Sequence, residues 1–232
     1  MYMCMKYIII IILLLILLNY YLIIYTKEHF TNTNFEIDKI MYINLDYRTD
    51  RKNEIENEFF KFDIKNYERF PAIKNIRGAL GCTKSHLAII KNAREKGYKN
   101  ILILEDDFEF IVDKKLFYDQ INKLFQINFD VCLLAYNTPN LYDSEFPFLY
   151  KIKDAQTTSG YIVNSHYYDT LIKQWEYAVE MFEKTGNEFL YTCDQSWKIL
   201  QGKNNWYCFK IRIGKQRKSY SDIQQGISNY NI

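Results

Sequence analysis

Residues 98–110 read YKNILILEDDFEF, an apolar run that breaks into three consecutive carboxylates and then returns to aromatic residues. A run such as NILIL, with no polar alternation, has the pattern of a strand buried on both faces, the position of a central strand in an α/β sheet. Ending that strand with Glu105, Asp106 and Asp107 is electrostatically costly, because adjacent like charges repel. A fold keeps such a cluster in open solvent or sets a cation beside it. Open α/β sheets gather ligands at the carboxyl ends of their strands, and carboxylate oxygens fixed there make a hard site suited to Mg²⁺ or Mn²⁺. The other reading is a solvated turn whose acids cap the next segment, and both stand at this point.

Flanking segments complete an α/β alternation. KIMYINLD alternates into a strand, and a helix follows with Thr49 as N-cap and Ile55, Phe59 and Phe62 at helical spacing. YERFPAI is extended, since Pro71 biases its predecessor to the β region. TKSHLAIIKNAREKG (83–97) predicts a second helix closed by Gly97. Further on come a helix over 114–126, a strand at DVCLLAY, a loop over 137–148, strands near YKIKDA and SGYIVN, and a long amphipathic helix from Tyr167 to Lys184. The expected fold is α/β, a single Rossmann-type domain with a mixed sheet. A chain of 232 residues, 48% hydrophobic and 25% charged, is long and apolar enough to bury one such core. The formal charge of +2 and the lack of a long basic block argue against nucleic acid as a partner.

Ahead of that domain, Tyr7 to Tyr25 reads YIIIIILLLILLNYYLIIY, without a charge. As a helix at about 1.5 Å per residue it spans a hydrocarbon core of roughly 30 Å. It has no polar face, and Tyr20, Tyr21 and Tyr25 gather toward one end as interfacial aromatics do. No small-residue cleavage site follows, so an uncleaved transmembrane helix over 7–25 is expected rather than a removed signal peptide. Lys6 and the terminal amine place the 1–6 tail in the cytoplasm. The expected protein is thus single-pass type II, with a stem over 26–37 and a domain over 38–232 on the lumenal or extracytoplasmic side. Cys4, Cys82, Cys132, Cys193 and Cys208 show no C-x-x-C pair and no His at metal-ligand spacing, which argues against zinc. In an oxidising compartment, disulfides among the last four stay open.

YINLDYRTDR (42–51), YERFPAI (67–73), GALGCTKSHLAI (78–89) and GYKNILILEDD (97–107) resemble, in order and spacing, the successive motifs of glycosyltransferase family 25. That family includes bacterial lipooligosaccharide galactosyltransferases and collagen β-galactosyltransferases. TTSGYIVNSHYYDTLI (157–172) and GKQRKSYSDI (214–223) are similar to its C-terminal half, while the loop between them matches nothing clearly. The resemblance implies a GT-A-like fold, a nucleotide-sugar donor such as a UDP-hexose, a divalent metal with Mn²⁺ as the expected ion, inversion at the anomeric carbon, and a glycan, lipid-glycan or protein acceptor. It carries the acidic motif onto Glu105, Asp106 and Asp107, with Asp107 closest to the metal, Asp106 sharing metal or ribose contacts, and Glu105 a metal ligand or a support for the turn.

Asn44, Asp46, Arg48 and Arg51 fall at the end of the first strand and the start of its helix, where a nucleotide rests. Arg51 has a bland alternative, a surface pair with Asp50 or Glu54. Gly81, Ser85 and His86 match the family's G-C-x-x-S-H element, which implies a catalytic role for His86 and donor binding for Ser85, and the spacing sets both near a helix N-terminus that favours anions. An inverting transferase needs a carboxylate base at the acceptor hydroxyl, and Asp194 in YTCDQSWKIL is preferred over Asp222 in YSDI, with an N-cap as its plain alternative. Gln216 sits at a family-like position without an assigned chemistry. Lys210, Arg212, Lys215, Arg217 and Lys218 are either diphosphate ligands or a solvated face. Trp175, Trp197 and Trp206 are core residues before they are sugar platforms. Two function classes follow: an active hexosyltransferase tethered by its N-terminal helix, or a membrane-anchored binding or structural protein that kept the fold without turnover. A nucleotidyltransferase on a similar scaffold is weaker, and no Gly-rich loop supports P-loop chemistry.

Overall fold

The computed structural model describes residues 12–21 and 37–228. The chain forms two units, Met1–Phe35 and Glu36–Ile232. In the first, residues 12–21 are helical (α1) with exposed apolar side chains. The rest of the expected 7–25 span, and all of the stem except Ile37, lie outside the described residues. Among the described residues no helix is long and apolar enough to cross a membrane.

The second unit is mixed α/β, built on an eight-stranded sheet of order β2-β1-β3-β8-β5-β9-β7-β6. These strands are β1 (Lys39–Asn44), β2 (Tyr67–Pro71), β3 (Asn100–Glu105), β5 (Val131–Leu133), β6 (Tyr142–Asp143), β7 (Leu149–Lys151), β8 (Gly160–Asn164) and β9 (Trp206–Phe209). β1 pairs parallel with both β2 and β3, and β5 with β9, while β8 runs antiparallel between β3 and β5. Ile101 to Leu104 are wholly buried, as the unbroken apolar run requires of a strand covered on both faces.

Each face is covered by helices whose apolar stripe the sequence carries at 3.6-residue spacing. α3 (Gly78–Glu95) and α5 (Tyr168–Thr185) lie on one face, where Leu87, Ile90, Leu171 and Trp175 pack against Met41, Ile43, Ile101 and Ile103. On the other, Phe59 of α2 (Thr49–Lys61) sets its ring 5.7 Å from that of Tyr42. Thr49 is the first residue of α2 and not its cap, which is Arg48 without a side-chain capping bond. Trp175, Trp197 and Trp206 are all fully buried, so they belong to the core.

Short elements unmarked in the sequence shape the ligand side. β4 (Phe108–Phe110) follows the carboxylates directly and pairs antiparallel with β10 (Gly214–Gln216). A hairpin of β11 (Ser219–Ser221) and β12 (Gly226–Ser228) comes next. The helix expected over 114–126 is present as α4 (Lys114–Leu124) ahead of β5, while α6 (Glu188–Tyr191), α7 (Cys193–Ser196) and α8 (Lys198–Gln201) are single turns after α5. The carboxylates therefore turn the chain from the main sheet into a second ribbon. Phe108 anchors that turn. Its ring lies so near Gly214 that a Cβ there would stand 2.1 Å from Cζ, so a glycine is required for β10 to close on β4.

Candidate active site

Asp106 and Asp107 are buried at 7% exposure each, and the cation beside them is Arg51. Its Nη1 lies 2.8 Å from Asp106 Oδ1 and 3.3 Å from Asp107 Oδ2, and the Asn44 amide donates to Asp106 Oδ2 at 2.7 Å. Asp107 Oδ1 is buried and finds no hydrogen-bond partner among the described residues. Burial pushes the Asp107 carboxyl up to about 7, with Glu105 and Asp106 adding to the rise and Arg51 opposing it. Burial also raises Asp106, against the pull of Arg51 and Asn44.

Glu105 has different company. Its Oε1 lies 3.1 Å from His86 Nε2 and accepts from the Thr158 hydroxyl at 2.7 Å, and Oε2 is 3.5 Å from the Gln216 amide. Burial would raise Glu105, but the hydrogen bond and charge of His86 overcome it and hold the carboxyl low. Burial likewise depresses His86, and the facing Cys193 and Glu105 override it and raise the imidazole. The other ring nitrogen, Nδ1, is 2.8 Å from the Tyr161 hydroxyl.

Two cavities meet at this turn. The first, about 400 Å³, is lined by Asn44, Tyr47, Arg51, Asp106, Asp107 and Asp222 among others. The second, about 550 Å³, is lined by Asn137, Gln156, Thr157, Thr192 and Asp194 among others. Cys82, Glu105, Gln216 and Ile223 border both. The β11–β12 hairpin crosses the first cavity and is tied down by the acid-rich turn's own partners. Arg51 Nη2 donates to Ser219 Oγ at 2.6 Å and to the Tyr220 carbonyl at 2.9 Å, Arg48 pairs with Asp222, and the Tyr47 hydroxyl donates to Asp222 at 2.8 Å.

Of the residues singled out from sequence, Asn44, Arg51, Ser85, His86, Glu105, Asp106, Asp107 and Gln216 line the first cavity. Asp194 lines the second, where its Oδ2 accepts from the Thr157 N–H at 3.2 Å and its Oδ1 from the Thr192 hydroxyl at 2.8 Å. Thr157 adopts φ 86, a conformation costly for a β-branched residue, in presenting that N–H. Asp46 is not brought in; it is exposed and pairs with Arg69 at 2.6 Å. Arg48 faces Asp50 and the hairpin rather than the cavity. Asp222 is held below the usual carboxylate range: burial would raise it, but Tyr47 and Arg48 bind its ionised form.

The helix-terminus reading of Ser85 and His86 is corrected. α3 starts at Gly78, so both lie well inside it and are fully buried. The Ser85 hydroxyl donates to the Gly81 carbonyl and accepts from the Ile73 N–H, each at 2.8 Å, so it ties the preceding loop to the helix. Four of the five basic residues have partners of their own: Lys210 pairs with Asp143, Lys215 with Glu109, Arg217 with Glu54, and Arg212 lies over the Tyr136 ring. Sequence reasoning missed Thr158, Tyr161 and Tyr47, and it missed a cluster. Cys82, His86 and Cys193 offer ligand atoms that all lie within 4.8 Å of one another. A four-residue step on one helix face was the available signal for the first two.

No protein family matches the chain, and neither does any curated protein. Among solved structures it is similar to a glycosyltransferase involved in the glycosylation of the major capsid of PBCV-1, at 11% identity and TM-score 0.49 over 81% of this chain and 95% of that one. It is similar to mannose-1-phosphate geranyltransferase from Thermus thermophilus, at 7% and 0.45 over 78% and 74%. The glycosyltransferase GlyE of Streptococcus pneumoniae aligns at 8% and 0.43 over 75% and 45%. With each of these scores below one half, what the chain does has to come from the geometry of its own site.

Proposed function

We propose that the chain is a metal-dependent, inverting glycosyltransferase of GT-A-like architecture. It moves a hexose from a nucleotide-diphosphate sugar, UDP-hexose first, to a hydroxyl of a glycan, lipid-linked glycan or protein. The observation that carries this reading is the unpartnered, buried Oδ1 of Asp107, in a cavity that adjoins a second cavity holding another carboxylate. A buried carboxylate oxygen without a donor is costly unless a ligand satisfies it. Mg²⁺ and Mn²⁺ fit it, since such hard ions take one or two carboxylates and complete their shell with water and substrate phosphates.

In this reading the first cavity takes the donor and the second the acceptor. Bound at Asp107, Mn²⁺ supplies Lewis-acid neutralisation of the departing diphosphate. Asp106 fixes Asn44 and Arg51 against the nucleotide, and Arg48 holds the hairpin over it. Asp194 takes the proton from the acceptor hydroxyl; its competitor Asp222 is neutralised by Arg48. Fully buried His86 acts through Glu105, so both are positioning residues, with Gln216 beside Glu105. The apolar segment 7–25 serves as a type II anchor.

One observation favours the second reading, a binding protein without turnover: Arg51 already spans Asp106 and Asp107 as an internal counter-ion. Donor hydrolysis by the full chain in detergent, across a panel of nucleotide sugars with and without Mn²⁺, separates the two. Metal-dependent release of one nucleotide, lost in Asp107→Asn, supports the transferase. Nucleotide binding without turnover, with glycan acceptors supplied, supports the binding protein, and no binding at all overturns both.

A further inference from the structure

We infer that Cys82, His86 and Cys193, with Glu105 as fourth ligand, form a tetrahedral site for a soft divalent cation, zinc first, distinct from the Asp107 site. The inference does not rest on the proposed transferase. Cys82 and His86 stand one turn apart on the same face of α3, and Cys193 opens α7. Their ligand atoms lie within 4.8 Å of one another, against about 3.5–3.8 Å around a bound zinc with bonds of about 2.0–2.3 Å. The two elements that carry the ligands are already tied together, since the Cys193 N–H donates to the Thr83 hydroxyl of α3 at 3.1 Å.

For the fourth position Glu105 is at hand: its Oε1 lies 3.1 Å from His86 Nε2, outside the group of three, and its carboxylate closes on the ion by a side-chain shift. A supporting shell is in place as well. Tyr161 accepts from His86 Nδ1–H when Nε2 is the ligand atom (2.8 Å), and the Thr158 hydroxyl reaches both Glu105 Oε1 (2.7 Å) and Cys193 Sγ (3.6 Å). His86 is 0% and Cys193 3% exposed, while half-buried Cys82 borders both cavities and gives the ion its route in. Two thiolates and an imidazole select zinc over the hard ions suited to Asp107. Binding displaces the two thiol protons, so uptake weakens as pH falls. The ion joins α3, α7 and the end of β3, which fixes the short helix that carries Asp194.

The test uses the full chain, purified under reducing conditions in detergent. Elemental analysis should find one equivalent of zinc, removable by chelator. The stripped protein reloaded with Co²⁺ should show thiolate-to-cobalt charge transfer and the intense visible bands of tetrahedral cobalt. Cys82→Ser and Cys193→Ser should each weaken zinc binding about 100-fold or more and bleach the charge-transfer band, whereas Asp107→Asn should keep both. Zinc should raise the melting temperature of the wild type and not of Cys193→Ser. If a variant does not fold, the wild-type cobalt spectrum still decides between sulfur and oxygen ligation. A weak octahedral spectrum, a metal content unchanged by both serine variants, or a Cys82–Cys193 disulfide in place of the metal overturns the inference.

Discussion

Replacing Asp107 by Asn should destroy metal binding and at the same time make the metal-free protein more stable above neutral pH. The Asp107 carboxyl rises from an ordinary 3.8 in the unfolded chain to about 7 in the fold, because burial and the Glu105 and Asp106 charges disfavour its ionised form. A raised folded-state value means that Asp107 contributes fully to stability below pH 3.8 and loses that contribution as pH climbs through 7. The gap corresponds to at most about 4 kcal/mol at roughly 1.4 kcal/mol per pH unit. Arg51 at 3.3 Å would lose one of its two carboxylates in the variant, which offsets part of the gain. About 2 kcal/mol therefore remains, or roughly 4–8 °C in melting temperature for a domain of this size. The assay is thermal unfolding of both proteins by circular dichroism from pH 4.5 to 8.5 with chelator present. The variant's advantage should be largest at pH 8 and shrink steadily below 7. Adding Mn²⁺ at pH 8 should raise the wild type and leave the variant unmoved. A variant less stable than wild type at pH 8, or an advantage independent of pH, would refute the reasoning.

Arg51→Met should cost roughly 3–5 kcal/mol in denaturant unfolding at pH 8, since it leaves two buried carboxylates uncompensated and frees the hairpin, and limited proteolysis should cut first near residue 222. Gly214→Ala forces a methyl to within 2.1 Å of the Phe108 ring, so it should destabilise by about 1–3 kcal/mol and depress activity through the carboxylate turn that Phe108 anchors. Asp194→Asn should lower kcat for sugar transfer by about 10²–10⁴-fold while donor affinity stays within a few-fold of wild type, read by steady-state kinetics beside calorimetry. Calorimetry should also show Mn²⁺ binding tightened about tenfold or more by saturating nucleoside diphosphate, with the reciprocal gain for the nucleotide.

The central strand and its acids were legible because they obey local rules: NILIL is buried on both faces, and three carboxylates in a row demand compensation wherever they sit. What compensates them was not legible. Arg51 faces Asp50 and Glu54 on paper, and only the parallel β1–β3 pairing turns it across to residues far along the chain. The sequence pattern starts α3 at 83, five residues late. Gly81 lies within the helix, and a Cβ there would lie 2.5 Å from the Ile73 carbonyl oxygen, so packing and not a turn sets this glycine. β4 and β10 have three residues each, too few for alternation to register, yet they deliver Gln216 to the site. The Cys82–His86–Cys193 cluster needed the third ligand from the far half of the chain, which no spacing rule supplies.

Charge balance ties these parts together. Glu105 is held low by His86, which is itself raised by the facing Cys193 and Glu105. Asp106 is matched by Arg51, and Asp107 is near half-protonated at neutral pH. Each of the three acids thus has its own compensation, His86 for Glu105, Arg51 for Asp106 and a burial-raised pKa for Asp107, which is how three adjacent acids persist in a buried place. In the proposed transferase, a divalent cation alone would displace a proton and crowd Arg51, and a diphosphate alone would meet carboxylates. Bound together they would bring charges that cancel, the cation at Asp107 and the phosphates toward Arg51. The same arginine holds the hairpin through Ser219 and Tyr220, so any change in its pairing with the carboxylates would also change its hold there.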